Sequence, residues 1–126
     1  LTDTCPDSPA TDVFVIHGSA DPIAPLSGSQ VIFAPPLGLP VSEVVATNAG
    51  RAGCDSAPAE SSPVGKVAAQ DFTGCDDGTR IRYWKMLGGG HTWAGAGSSL
   101  LTDPIVGPTL DTFSATEVVL DFFDAT

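Results

Sequence analysis

Apolar residues gather at a few places along this chain, and their spacing predicts different elements. Val13-Phe14-Val15-Ile16 is a short, continuous, β-branched run bounded by turn residues, the pattern of a strand covered on both faces in a parallel sheet. A second strand is predicted over 80–87, where Ile81 and Tyr83 alternate with Arg82 and Trp84, so that one face is the more exposed. A helix is expected from Ser42 to about Arg51, with Ser42 as its cap and Val44 and Val45 on one face. The clearest helix closes the chain. Ser114-Ala115-Thr116-Glu117 matches a capping box, and Val118, Val119, Phe122 and Phe123 form an apolar stripe. Residues 26–40, with Pro35, Pro36 and Pro40, exclude a long regular element, and 54–63 read as a polar surface loop. Val64–Phe72 adds a weak strand, and Asp76-Asp77-Gly78 a turn. Strand, excursion, strand, loop, helix is the order of the trailing end of an α/β sheet, mostly parallel and flanked by helices.

Composition narrows the partners. At 126 residues the chain is one domain or part of one, and 42% hydrophobic content with 14 Gly and 11 Pro reads as globular and loop-rich. Fifteen acidic residues against five basic ones give a formal net charge of −10, a field that repels phosphate backbones and anionic membrane surfaces. No apolar run approaches the roughly 20 residues of a membrane span. The three cysteines, Cys5, Cys54 and Cys75, form no CxxC pair and no zinc spacing with His17 and His91; no metal or organic cofactor is implied by the sequence. A Cys54–Cys75 disulfide would close a modest loop in an oxidising compartment, leaving Cys5 free or paired outside the chain; three reduced thiols are the alternative. The chain does not open on Met or on a signal-peptide pattern, so it is expected to be a fragment.

The candidate chemistry sits just past the two strands. The first empties into His17-Gly18-Ser19-Ala20-Asp21-Pro22 and the second into Gly88-Gly89-Gly90-His91-Thr92-Trp93. Functional groups of open α/β sheets collect beyond the carboxyl ends of strands. If the strands are neighbours, Asp21 can bond one nitrogen of His91, fix its tautomer and leave the other nitrogen to move protons near neutrality. The plainer readings are an Asx turn for Asp21, a turn-closing imidazole for His91 and a structural role for His17. Trp93 either lines an acyl pocket or caps the core. Asp103 and Asp111 are rival acids, both in irregular sequence. A G-x-S-x-G nucleophile elbow is absent; Gly18-Ser19 and Gly97-Ser98-Ser99 lack its flanks.

Val15-Ile16-His17-Gly18-Ser19-Ala20-Asp21-Pro22-Ile23-Ala24-Pro25 together with Gly88–Trp93 resembles the C-terminal half of the secreted polyhydroxybutyrate depolymerase and feruloyl esterase group of α/β-hydrolases. Gly53-Cys54, Gly74-Cys75 and the terminal helix are also similar to theirs. Ala94 stands where the group usually has Pro, and the aromatic often found before its Asn-Gly-Cys segment is not evident in 46–54. The resemblance spans nearly everything from Val13 onward and implies that residues 1–126 are the C-terminal part of one α/β-hydrolase catalytic domain. It further implies a secreted carboxylic-ester hydrolase with Asp21 as triad acid and His91 as triad base, acting on a polyester or a plant cell-wall ester. The nucleophilic serine and the oxyanion hole would lie in an N-terminal half, on a separate chain linked through Cys5 or in residues upstream. A non-catalytic secreted fragment or binding module derived from a hydrolase is the alternative.

Overall fold

The computed structural model describes residues 9–28, 38–97 and 103–124. Cys5, Pro35, Pro36 and Ser98-Ser99 lie outside the described residues. Four strands, β1 (Val13–Gly18), β2 (Ala59–Ser61), β3 (Val67–Phe72) and β4 (Ile81–Met86), form one sheet in the order β1-β4-β3-β2. Three helices join them, α1 (Val41–Arg51), the single turn α2 (Asp103–Val106) and α3 (Ala115–Asp124).

The fold is mixed α/β, but the expectation of a mostly parallel sheet is corrected. β1 and β4 are parallel, with Val13 opposite Ile81 and Gly18 opposite Met86, whereas β3–β4 and β2–β3 are antiparallel. Connection length decides this. Only the passage from β1 to β4 is long enough to return the chain in the same direction, while short turns allow only antiparallel hairpins. Those turns use left-handed backbone at Lys66 (φ 61°) between β2 and β3, and at Gly74 (φ 68°), Asp77 (φ 53°) and Gly78 (φ 70°) between β3 and β4.

α1 covers one face of the sheet. Val41, Val45, Ala49 and Ala52 are buried at helical spacing against Ile81 and Tyr83, with Val13 and Val15 packed beside them. Its cap is Pro40, with no side-chain hydrogen bond, so the expected Ser42 cap is corrected: proline, with its rigid φ, caps the helix two residues earlier. The helix stops where Gly53 takes φ 68°, which turns Cys54 back towards Cys75. The Cys54–Cys75 disulfide forms and ties the end of α1 to the β3–β4 connection.

α3 and the segment before it cover the other face. Phe14 packs on Phe122 with ring centroids 5.1 Å apart, and Trp84 lies edge-on to Phe14 at 5.5 Å and Phe113 at 5.3 Å. Trp84 is therefore buried like Ile81 and Tyr83, which corrects the expected exposed face of β4. β1 borders only one strand among the described residues, and Val13–Ile16 are half-buried rather than enclosed. The Ser114 hydroxyl accepts the Glu117 N–H at 3.3 Å, as the predicted cap requires. Arg80 clamps this side, donating to Asp12 at 2.7 Å and to the Phe122 carbonyl at 2.7 Å, with its guanidinium 4.6 Å from the Phe122 ring. The stretch expected to be loop at 54–63 contains β2, whose three residues are all exposed and held by pairing to β3 alone.

Candidate active site

The parallel pairing of β1 and β4 puts their carboxyl ends side by side, and the two following turns are laced together. Ser19 N donates to the Met86 carbonyl at 2.9 Å, Ala20 N to Gly89 at 2.9 Å, and Gly88 N to the Ser19 hydroxyl at 2.8 Å. The glycines serve two purposes. Gly88 adopts φ 79°, which a side chain resists. Gly18 and Gly90 are needed for close approach: a Cβ on Gly18 would overlap the carbonyl oxygens of Gly89 and Gly90, and one on Gly90 would overlap the Val106 carbonyl. A second lace fixes the far side, with His91 N donating to Val106 O at 2.6 Å and Gly90 N to Pro108 O at 2.8 Å.

This scaffold brings Asp21 and His91 together. Asp21 Oδ2 lies 2.8 Å from His91 Nδ1, while Oδ1 accepts the backbone N–H groups of Ile23 and Ala24, each at 2.8 Å. The Asx turn and the acid–base pairing are thus one arrangement, each using its own carboxylate oxygen. Asp21 is the one buried charged residue among those described, at 7% exposure. Burial pushes its pKa up, but the Ala24 N–H, the His91 imidazole and the Ile23 N–H outweigh burial and hold it below the ordinary value. A carboxylate that stays ionised can only accept, so Nδ1 of neutral His91 carries the proton and Nε2 presents a lone pair. The imidazole is about half exposed, with 52% of its side-chain surface open.

His91 borders a recess of about 300 Å³, lined also by Ile16, His17, Met86, Thr92 and Trp93. Trp93 stands at its rim, half exposed, with its indole N–H donating to the Thr116 hydroxyl at 2.9 Å. That bond orients the ring outward instead of capping the core. Thr92 is anchored by its hydroxyl to the Pro108 carbonyl at 3.0 Å. Asp111, one of the rival acids, is exposed, and Asp103 opens α2.

His17 belongs to the site more closely than its sequence position suggested. Its Nδ1 lies 3.1 Å from the Gly18 carbonyl, a local structural bond, and its Nε2 lies 3.8 Å from Asp21 Oδ2, the oxygen that His91 uses. The available signal was the i, i+4 spacing of His17 and Asp21 across a tight turn. Among the described residues, no serine or threonine hydroxyl is hydrogen-bonded to His91 Nε2, and no three His, Cys, Asp or Glu side chains converge as a metal site. No described helix is long and apolar enough to cross a membrane.

No protein-family model matches this chain, and no curated protein or solved structure shows significant similarity to it.

Proposed function

We propose that this chain supplies the acid and base of a carboxylic-ester hydrolase, with Asp21 orienting His91 and a serine from polypeptide beyond these residues as nucleophile. The observation that carries the proposal is the 2.8 Å bond between Asp21 Oδ2 and His91 Nδ1, which leaves Nε2 as a base beside an open recess. In the reaction, His91 Nε2 takes the serine hydroxyl proton as Oγ attacks the ester carbonyl carbon. The ester C–O bond breaks, and the imidazolium returns that proton to the departing alcohol. Water, deprotonated by the same nitrogen, then attacks the acyl-enzyme, releasing the acid and restoring the serine. Asp21 stays ionised throughout and stabilises the transient imidazolium. Trp93, half exposed in the lining of the recess, would cover the acyl group. The substrate is a polyester or a plant cell-wall ester of feruloyl or acetyl-xylan type, and the disulfide fits a secreted enzyme.

A second reading, a non-catalytic secreted fragment or binding module, is favoured by one observation, the lack of a hydroxyl on Nε2 among the described residues. A serine-directed phosphonate probe separates the two. Applied to the longest polypeptide that carries these residues, it is expected to label one serine outside the 126, with labelling lost in His91→Ala. Absence of labelling in the folded polypeptide supports the second reading.

A further inference from the structure

A second hollow lies apart from the one beside His91. A groove of about 420 Å³ runs over β2, β3 and β4, with Glu60, Ser61, Ser62, Gln70, Tyr83 and Lys85 in its lining. Sheet register explains the grouping. Glu60 faces Gln70, Gln70 faces Tyr83, and Ala68 faces Lys85, so a small residue beside the lysine leaves room above the sheet. β1 extends the same row, because His17 is the register partner of Lys85. His17 lines the recess and Lys85 the groove. The backbones of His17 and Lys85 are thus one strand spacing apart, about 4.8 Å.

The lining of the groove holds a cation outside any ion pair among the described residues. Of the three cations on or beside β4, Arg80 is paired with Asp12 and Arg82 with Asp71, whereas Lys85 is in no ion pair among the described residues. Lys66 is likewise in no ion pair among the described residues, so what sets Lys85 apart is its place in the groove lining. Tyr83 adds a donor. Its ring is buried at 8% exposure while its hydroxyl has no hydrogen-bond partner among the described residues, and burial raises its pKa, which keeps the phenol protonated. The one acid in the lining, Glu60, accepts from Gln70 Nε2 at 3.2 Å.

We propose that this groove binds the carboxylate of a small organic acid, with the Lys85 ammonium as counter-ion and the Tyr83 and serine hydroxyls as donors. The adjacency of Lys85 and His17 makes it a subsite for an ester that carries a free carboxylate at one end, presented to His91 at the other. This substrate assignment rests on the hydrolase reading above; the carboxylate site itself does not. It implies a preference for the acid-terminated end of a chain of ester-linked hydroxy acids over internal bonds.

Titration of the ¹⁵N-labelled 126-residue chain with 4-acetoxybutanoate, its methyl ester and xylobiose tests this without any turnover. The acid is expected to give saturable amide shifts at Gln70, Tyr83 and Lys85, with its methyl ester binding at least about fivefold more weakly. Lys85→Met should remove that preference, and Glu60→Gln, which takes a negative charge out of the lining, should tighten the acid about two- to threefold. The titration reads carboxylate binding and no turnover, so a failed hydrolase assignment reads differently from a failed groove. Equal binding of acid and methyl ester, stronger binding of xylobiose, indifference to Lys85→Met, or no saturable shift up to about 50 mM each overturns the proposal.

Discussion

Replacing Asp21 by Asn keeps the shape of the side chain and removes its charge, which isolates what the carboxylate does for His91. In the native turn, Oδ1 holds two backbone N–H groups and Oδ2 holds the imidazole, all at 2.8 Å. An asparagine can keep its amide oxygen on Ile23 N and Ala24 N, which places its NH₂ group against His91 Nδ1. Two donors cannot face each other, so His91 must move its proton to Nε2 and accept at Nδ1. Exchanging three charge-assisted bonds for neutral ones, each about half as strong, costs about 1–2 kcal/mol. The urea midpoint should fall by about 0.5–1 M at an m-value near 2 kcal/mol/M. Long-range ¹H–¹⁵N correlation at about pH 9, above the ordinary imidazole range, reads the tautomer directly. The wild type should show the Nδ1–H form at His91 and Asp21→Asn the Nε2–H form. In a complete enzyme the same change should lower kcat about 10³- to 10⁴-fold, because the outward nitrogen is then no longer a base. An unchanged tautomer, or a midpoint equal to wild type, refutes the reasoning.

Other consequences follow from particular contacts. Reducing the Cys54–Cys75 bond, which closes a separation of 21 residues, should destabilise the chain by about 3 kcal/mol, measured as a drop in urea midpoint with and without reductant. Gly90→Ala should cost more than about 2 kcal/mol, since its Cβ would meet the Val106 carbonyl, and should broaden the His91 amide resonance; a midpoint like wild type counts against the close approach. Asp12 and Asp21 both have folded-state pKa values below the ordinary 3.8, Asp12 through its bonds to Arg80. Their contribution is therefore complete above pH 3.8 and is lost as pH falls through the lowered values, so denaturation curves should be flat from neutrality to about pH 5 and fall below 4. Asp12→Asn should flatten part of that acid limb.

The fold was partly legible because burial leaves its mark on side chains. β1, β4 and α3 were readable from apolar runs and a capping box, and the pairing of Asp21 with His91 followed from their places after two strands. β2 was not readable: Ala59, Glu60 and Ser61 are exposed and exist as a strand only through β3. Strand direction was also hidden, since antiparallel β3 is decided by the length and left-handed residues of its turns. Trp84 looked outward-facing because the residues that cover it, Phe14 and Phe113, come from distant parts of the chain. Of the three glycines before His91, only Gly88 takes a positive φ, and Gly90 serves proximity to Val106, a distinction the bare triplet does not carry. His17 was read as structural because periodicity shows where a residue stands along a strand and not which carboxylate returns to meet it.

The most direct test of the central claim is ester turnover by the longest polypeptide containing these residues, wild type against His91→Ala, with 4-nitrophenyl butyrate as substrate. The imidazole is half exposed and makes a single side-chain hydrogen bond, so its loss should change folding stability by no more than about 1–2 kcal/mol. Turnover should nevertheless fall by at least about 10³-fold. A folded His91→Ala protein that hydrolyses the ester within a few-fold of wild type would contradict the assignment of His91 as the base.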